Sequence, residues 1–185
     1  MVSLTRQTVD SLTASVPIDG RTDAFDLFEK LPVRGQESWR YVDLEVDPAD
    51  YSMVDKPGPP LGADPFLEAV TASSTASIVD GHTVGVSGDF LLSGLEIIGL
   101  VEPSADKFAA GHLAFVTGGV VVDIPRGGLV TEPVMVDVQS VSDRTISFPH
   151  VTIKVGENAE ASVVLFYRSP IDLDAIVVPQ VEIDV

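Results

Sequence analysis

Cysteine is absent from the 185-residue chain. Within these residues that excludes a disulfide framework, a thiolate nucleophile, a zinc–thiolate site and a cysteine-held iron–sulfur cluster. Basic residues are scarce: 11 Lys and Arg stand against 28 Asp and Glu, for a formal net charge of -17. Such a surface repels phosphate backbones and anionic lipid, so neither nucleic acid nor membrane is an expected partner. The deficit is spread out, -11 over residues 1–110 and -6 over residues 111–185, and reads as a solvated, self-repelling surface. Long apolar runs are missing too, none approaching the roughly 20 residues of a membrane helix. Residues 1–10 lack the apolar core of a secretory signal. Asn158, the one asparagine, is followed by Ala159 and Glu160, so there is no N-glycosylation sequon. A cytoplasmic address is the expectation.

The usual catalytic signatures are also lacking. No phosphate-binding Gly-x-x-x-x-Gly-Lys run exists. Gly81, Gly85 and Gly88 have the wrong spacing for a dinucleotide fingerprint, and Ser87, in Gly85-Val86-Ser87-Gly88, falls one residue short of a nucleophile elbow. His82, His112 and His150 are far apart in sequence and read as surface or turn histidines, although ligands scattered in sequence can still meet in space. The scattered carboxylates read as a solvated face rather than an acid–base pair.

What is present divides the chain in two. Residues 1–75 carry helix punctuation. Thr22 is the expected N-cap of a helix with Asp23 and Asp26 early, Phe25, Phe28 and Leu31 on one face, and Pro32 at its end. Asp64 and Pro65 open a second helix, and residues 5–15 suit a third. Pro48, Pro57, Pro59 and Pro60 mark an extended loop. Residues 76–185 read almost entirely as strands: 17 of the 29 valines lie in the last 75 residues, and β-branched residues favour extended chain. Apolar runs such as 95–100, 120–124, 134–138, 151–155, 163–167 and 176–178 are separated by turns at 118–119, 125–128, 142–144 and 156–158. Continuously apolar strands suit burial on both faces, a pattern that leaves sandwich and solenoid both open. The sequence stops on the alternating run 181–185, which reads as a strand in mid-course and suggests a longer parent protein.

Trp39, the only tryptophan, sits beside Arg40 and Tyr41. These residue types either anchor a helical segment on its neighbour or form a partner-binding hot spot.

Three stretches in order give this sequence a family likeness. Residues 25–32 followed by Glu37-Ser38-Trp39-Arg40-Tyr41-Val42-Asp43-Leu44 resemble the N-terminal signature of the SufB/SufD family of the SUF iron–sulfur cluster assembly machinery. Residues 113–127, with Gly118-Gly119 leading into an apolar strand that ends Pro125-Arg126-Gly127, resemble the next motif. Residues 148–161, with Val155-Gly156-Glu157-Asn158-Ala159-Glu160-Ala161, resemble a third. Val42, Phe148, His150 and His112 depart from the residues the family often has there. The likeness is closer to SufD than to SufB.

The resemblance implies a mainly β fold: the opening coils of a right-handed parallel β-helix over 76–185, preceded by a small helical N-terminal segment over 1–75. It implies a non-catalytic scaffold subunit, not an enzyme, holding no cofactor within these residues. SufB-like and SufC-like (ATPase) subunits are the implied partners, with Trp39, Arg40 and Tyr41 as a partner-binding or packing signature. Self-association is a further expectation. The readings from other classes are a β-helix enzyme acting on polysaccharide and a stand-alone binding module.

Overall fold

The computed structural model describes residues 1–33 and 46–185. Local sequence accounts for the first helices. Helix α1 (Arg6–Ser15) is capped by Thr5, whose side chain accepts from Thr8 N. Helix α2 (Arg21–Lys30) starts two residues before the expected point: Gly20, at φ 76°, precedes its first turn, and Thr22 lies inside it. The early start draws Arg21 into the interior. Helix α3 (Pro65–Ala69) opens as its sequence requires, with Asp64 accepting from Phe66 N.

A fourth helix, α4 (Lys107–Phe115), occupies a stretch read from sequence as part of the strand-rich region. Asp106 caps it by accepting from Ala109 N. Tertiary packing holds it there: the Phe115 ring meets Phe25 and Phe28 edge-on, with centroids 5.8 and 5.3 Å apart.

The strands form three four-stranded sheets. In spatial order the first holds β1 (Val2–Ser3), β2 (Ser52–Met53), β8 (Thr145–Ser147) and β11 (Ala175–Val177). The second holds β10 (Val163–Arg168), β7 (Val134–Gln139), β3 (Ser74–Val79) and β4 (His82–Ser87). The third holds β12 (Gln180–Asp184), β9 (His150–Val155), β6 (Gly119–Ile124) and β5 (Leu91–Ser93).

This architecture corrects the expected mainly β, right-handed parallel β-helix. The chain is a mixed α/β fold, 21% helix and 32% strand, and every sheet is mixed. Each combines parallel pairs with one antiparallel pair: β1–β2, β3–β4 or β5–β6. The physical reason is local in the second sheet. Asp80 and Gly81 both take positive φ, 48° and 84°, which makes the two-residue hairpin turn that matches strand twist. β4 therefore folds straight back on β3.

Two apolar clusters hold the layers. One joins Ala76, Ile78, Val120, Val136, Val151 and Ile153 from the second and third sheets. The other joins Val9, Phe25, Phe28 and Met53 to Phe115, Ile146 and Phe148, so residues from both halves of the chain share one core. Fully burying each Val, Ile, Phe or Met among them stabilises the fold by about 1.5–3 kcal/mol. Among the described residues, no helix is long and apolar enough to cross a membrane.

Candidate functional site

Trp39, Arg40 and Tyr41 lie outside the described residues. The other polar candidates are placed. Ser87 is exposed at the end of β4, and His82 contacts Val54 O through Nε2 at 3.1 Å. His112 and His150, read from sequence as separate surface or turn residues, are instead buried side by side. They are 1% and 0% exposed, and His112 Nε2 lies 3.1 Å from His150 Nδ1.

Backbone register brings them together. In the third sheet His150 stands between Gly119 and Gln180, and Thr152 between Val121 and Glu182. Gly119 is required here: a Cβ would lie 2.7 Å from His150 O and 3.2 Å from His150 Cβ. Helix α4 then brings His112 onto the strand from the side of the Phe148 ring, whose centroid is 6.2 Å from its own.

Glu182, also fully buried, completes the cluster. Its Oε2 lies 3.6 Å from His150 Nε2 and accepts the N–H of Ile98 at 2.6 Å. Its Oε1 accepts from Gly99 and Leu100 at 3.0 and 2.7 Å. Residues 95–100 were expected to form a strand. They run as irregular chain instead, and three of their backbone donors meet this one buried carboxylate, whose charge needs such partners. At the far ends of the histidine pair, His112 Nδ1 donates to Val178 O at 3.0 Å and His150 Nε2 lies 2.9 Å from Glu96 O.

Burial governs the electrostatics. Desolvation drives His112 down to about 3, against its bond to Val178 and the charge of Glu182. Desolvation also pushes His150 down, opposed by the Glu182 charge and the Glu96 carbonyl. For Glu182 desolvation acts upward, but the N–H donors of Ile98 and Leu100, with His150, outweigh it and hold the carboxyl below its usual range.

A second buried ion sits nearby. Arg21 donates from Nη1 to Ala114 O at 2.7 Å, and from Nη2 to Val116 O at 3.0 Å and Val16 O at 3.2 Å. Its charge thus meets the carbonyl end of α4, where the helix dipole favours a cation. Burial brings its pKa to about 10, so it stays charged at neutral pH.

Other paired carboxylates among the described residues are dispersed. Asp137 pairs with Arg168 at 2.7 Å, Asp174 with Arg144 at 2.9 Å, Glu157 with Arg126 at 2.9 Å and Glu96 with Lys154 at 3.0 Å. Among the described residues, no group of three or more His, Cys, Asp and Glu is placed to hold a metal ion.

Sequence reasoning missed the His112–His150–Glu182 cluster. Its one readable signal was the apolar setting of both histidines, in Gly111-His112-Leu113-Ala114-Phe115 and Phe148-Pro149-His150-Val151. Glu182, in an alternating apolar–acidic run, gave none. Compared with known proteins, the chain matches no protein-family model and no curated protein.

Proposed function

We propose that the chain is a non-catalytic scaffold component of the SUF iron–sulfur cluster assembly machinery, a SufD-like subunit working in the cytoplasm with SufB-like and SufC-like partners. The observation that carries the reading is the stacking of two of the segments that bear the family likeness. The turn at 125–128 lies directly against the turn at 156–160: Gly127 N donates to Glu157 O at 2.9 Å and Gly156 N to Ile124 O at 2.8 Å. Glu160 N donates to Gly128 O at 2.8 Å and Val130 N to Glu160 O at 2.9 Å. Stretches 30 positions apart, such as Gly127 and Glu157, thus pack as one structural unit, which supports reading the two motifs together.

A scaffold must also offer surface to partners. Among the described residues, β10, β11 and β12 are each the outermost strand of their sheet, and an open strand edge is a template for pairing with another chain. In this reading ATP-driven work belongs to the SufC-like subunit and cluster chemistry to the SufB-like one. Disrupting the gene in its native host tests the function. The expected result is reduced activity of cluster-dependent enzymes such as aconitase, restored by the intact gene. Unchanged activity of those enzymes under iron limitation and oxidative stress would overturn the proposal.

A further inference from the structure

The histidine pair has four ring nitrogens, and their neighbours fix how many carry protons. His112 Nδ1 faces the carbonyl of Val178 at 3.0 Å, and a carbonyl only accepts, so this nitrogen is an N–H. His150 Nε2 faces the carbonyl of Glu96 at 2.9 Å and a carboxylate oxygen of Glu182 at 3.6 Å. It too must be an N–H. Between the rings, His112 Nε2 and His150 Nδ1 are 3.1 Å apart, and one of the two must carry a proton to bind the other. The count is three N–H groups on two rings.

Two neutral rings supply only two. Either inner nitrogen would then oppose the other lone pair to lone pair, or an outer one would oppose a carbonyl. Burial pushes both rings toward the neutral form, but here that form leaves a buried donor or acceptor facing a group it cannot pair with. The Thr152 hydroxyl, 3.2 Å from His150 Nε2, has one proton, which it gives to Glu96 O. Redirecting it would still leave a bare His150 Nε2 against the Glu96 carbonyl. We propose that the His112–His150 pair holds three protons at neutral pH, one positive charge shared across the two rings and neutralised by Glu182, and that this charge latches strand β12 to the 96–101 segment.

The other charged groups on the surrounding elements point elsewhere. The Glu96 carboxylate binds Lys154 of β9 at 3.0 Å, and Asp123 and Asp184 act on that same lysine. On α4, Asp106 caps the helix, and Lys107 donates to the carbonyls of Phe28 and Leu31. Glu182 is the carboxylate that acts on both rings. Losing the shared proton at raised pH leaves its charge buried without a counter-ion, which strains the contacts that pin Ile98, Gly99 and Leu100. The device is a latch closed at neutral pH and loosened by alkali.

The proton count is directly readable. Long-range proton–nitrogen NMR spectra of the 15N-labelled protein at pH 7, with His82→Gln used to remove the third histidine's signals, should show three protonated nitrogens on the pair and one bare. Two protonated and two bare nitrogens would overturn the proposal. In Glu182→Gln the pair should fall to two protons at pH 7, and retention of three would show that Glu182 is not the counter-ion. If Glu182→Gln does not fold, the count in the parent protein still decides.

Discussion

Glu182 on the outermost strand of the third sheet accepts the backbone N–H of Ile98 at 2.6 Å, across 84 positions of sequence. The same carboxylate takes two more N–H donors from the 98–100 stretch, so the irregular segment is held by one side chain. Glu182→Ala would remove the shared acceptor of all three donors and leave His150 without its carboxylate. Removing one partner of a buried ionic contact typically costs about 3–5 kcal/mol. Urea denaturation should show a loss of that order, with Glu182→Gln losing less because its amide oxygen still accepts.

Arg21 offers a separate prediction, since it contacts the C-terminal end of α4 rather than the Glu182 cluster. Arg21→Ala removes the donor to Ala114, Val116 and Val16. A hydrogen bond to a charged group contributes about 1.5–3 kcal/mol, so the variant should lose at least 3 kcal/mol of stability in the same experiment. Arg21→Lys should fall between the two proteins, because one ammonium cannot reach all three carbonyls in the fork geometry of a guanidinium.

Acid should destabilise the protein before its ordinary carboxylates titrate. His112 is held at about 3 in the fold by burial and titrates near 6.5 in the unfolded chain. A folded-state pKa that is depressed gives stability that is present above the unfolded value and lost as pH falls. Below pH 6.5 the unfolded chain increasingly binds one more proton at this site, and the loss approaches about 1.4 kcal/mol per pH unit. Chemical denaturation at pH 6.5, 6.0 and 5.5 should follow that slope, and His112→Gln, if folded, should flatten it.

Local elements of this fold were readable from sequence and its class was not, and the boundary between the two has a physical cause. Thr5, Asp64 and Pro65 act within a few residues of themselves, and the helices they open stand where expected. The turns at 125–128, 142–144 and 156–158 likewise depend on their own residues. Helix α4 depends on Phe25 and Phe28, more than 75 positions earlier. The return of β4 onto β3 turned on positive φ at Asp80 as well as Gly81, and with β1–β2 and β5–β6 it changes the sheets from parallel to mixed. The candidate site was the least legible part. His112 meets His150 38 positions away, and the apolar neighbours of each announce burial but not the contact.

The open edges predict association. Tyr167, at 44%, and Ile183, at 54% exposed, stand on the outer strands β10 and β12. Salt screens the repulsion of -17 net charges beyond about 8 Å at physiological ionic strength, which leaves contact burial to dominate at high concentration. Light scattering at moderate salt should show dimers or larger species, and Ile183→Lys should shift them to monomer. A parent protein that stays monomeric at high micromolar concentration would contradict this.

Anaerobic reconstitution with iron and sulfide should leave no chelator-resistant cluster on this chain, which has no thiolate to hold one. Iron and sulfide analysis after desalting checks it, and a stoichiometric cluster would require a ligand set built from other donors.

The charge held between His112 and His150 is tested most directly by the sign of the stability change from pH 6.5 to 8. A pair that keeps its third proton in the fold and loses it on unfolding gives stability that is full below about 6.5, the unfolded value, and declines as pH rises. Two neutral rings, each held down by burial, give the opposite: stability still rising through pH 6.5 and then level. Urea denaturation across this range should therefore show a maximum near pH 6.5 and a fall toward pH 8, whereas a continued rise to a plateau would contradict a shared buried proton.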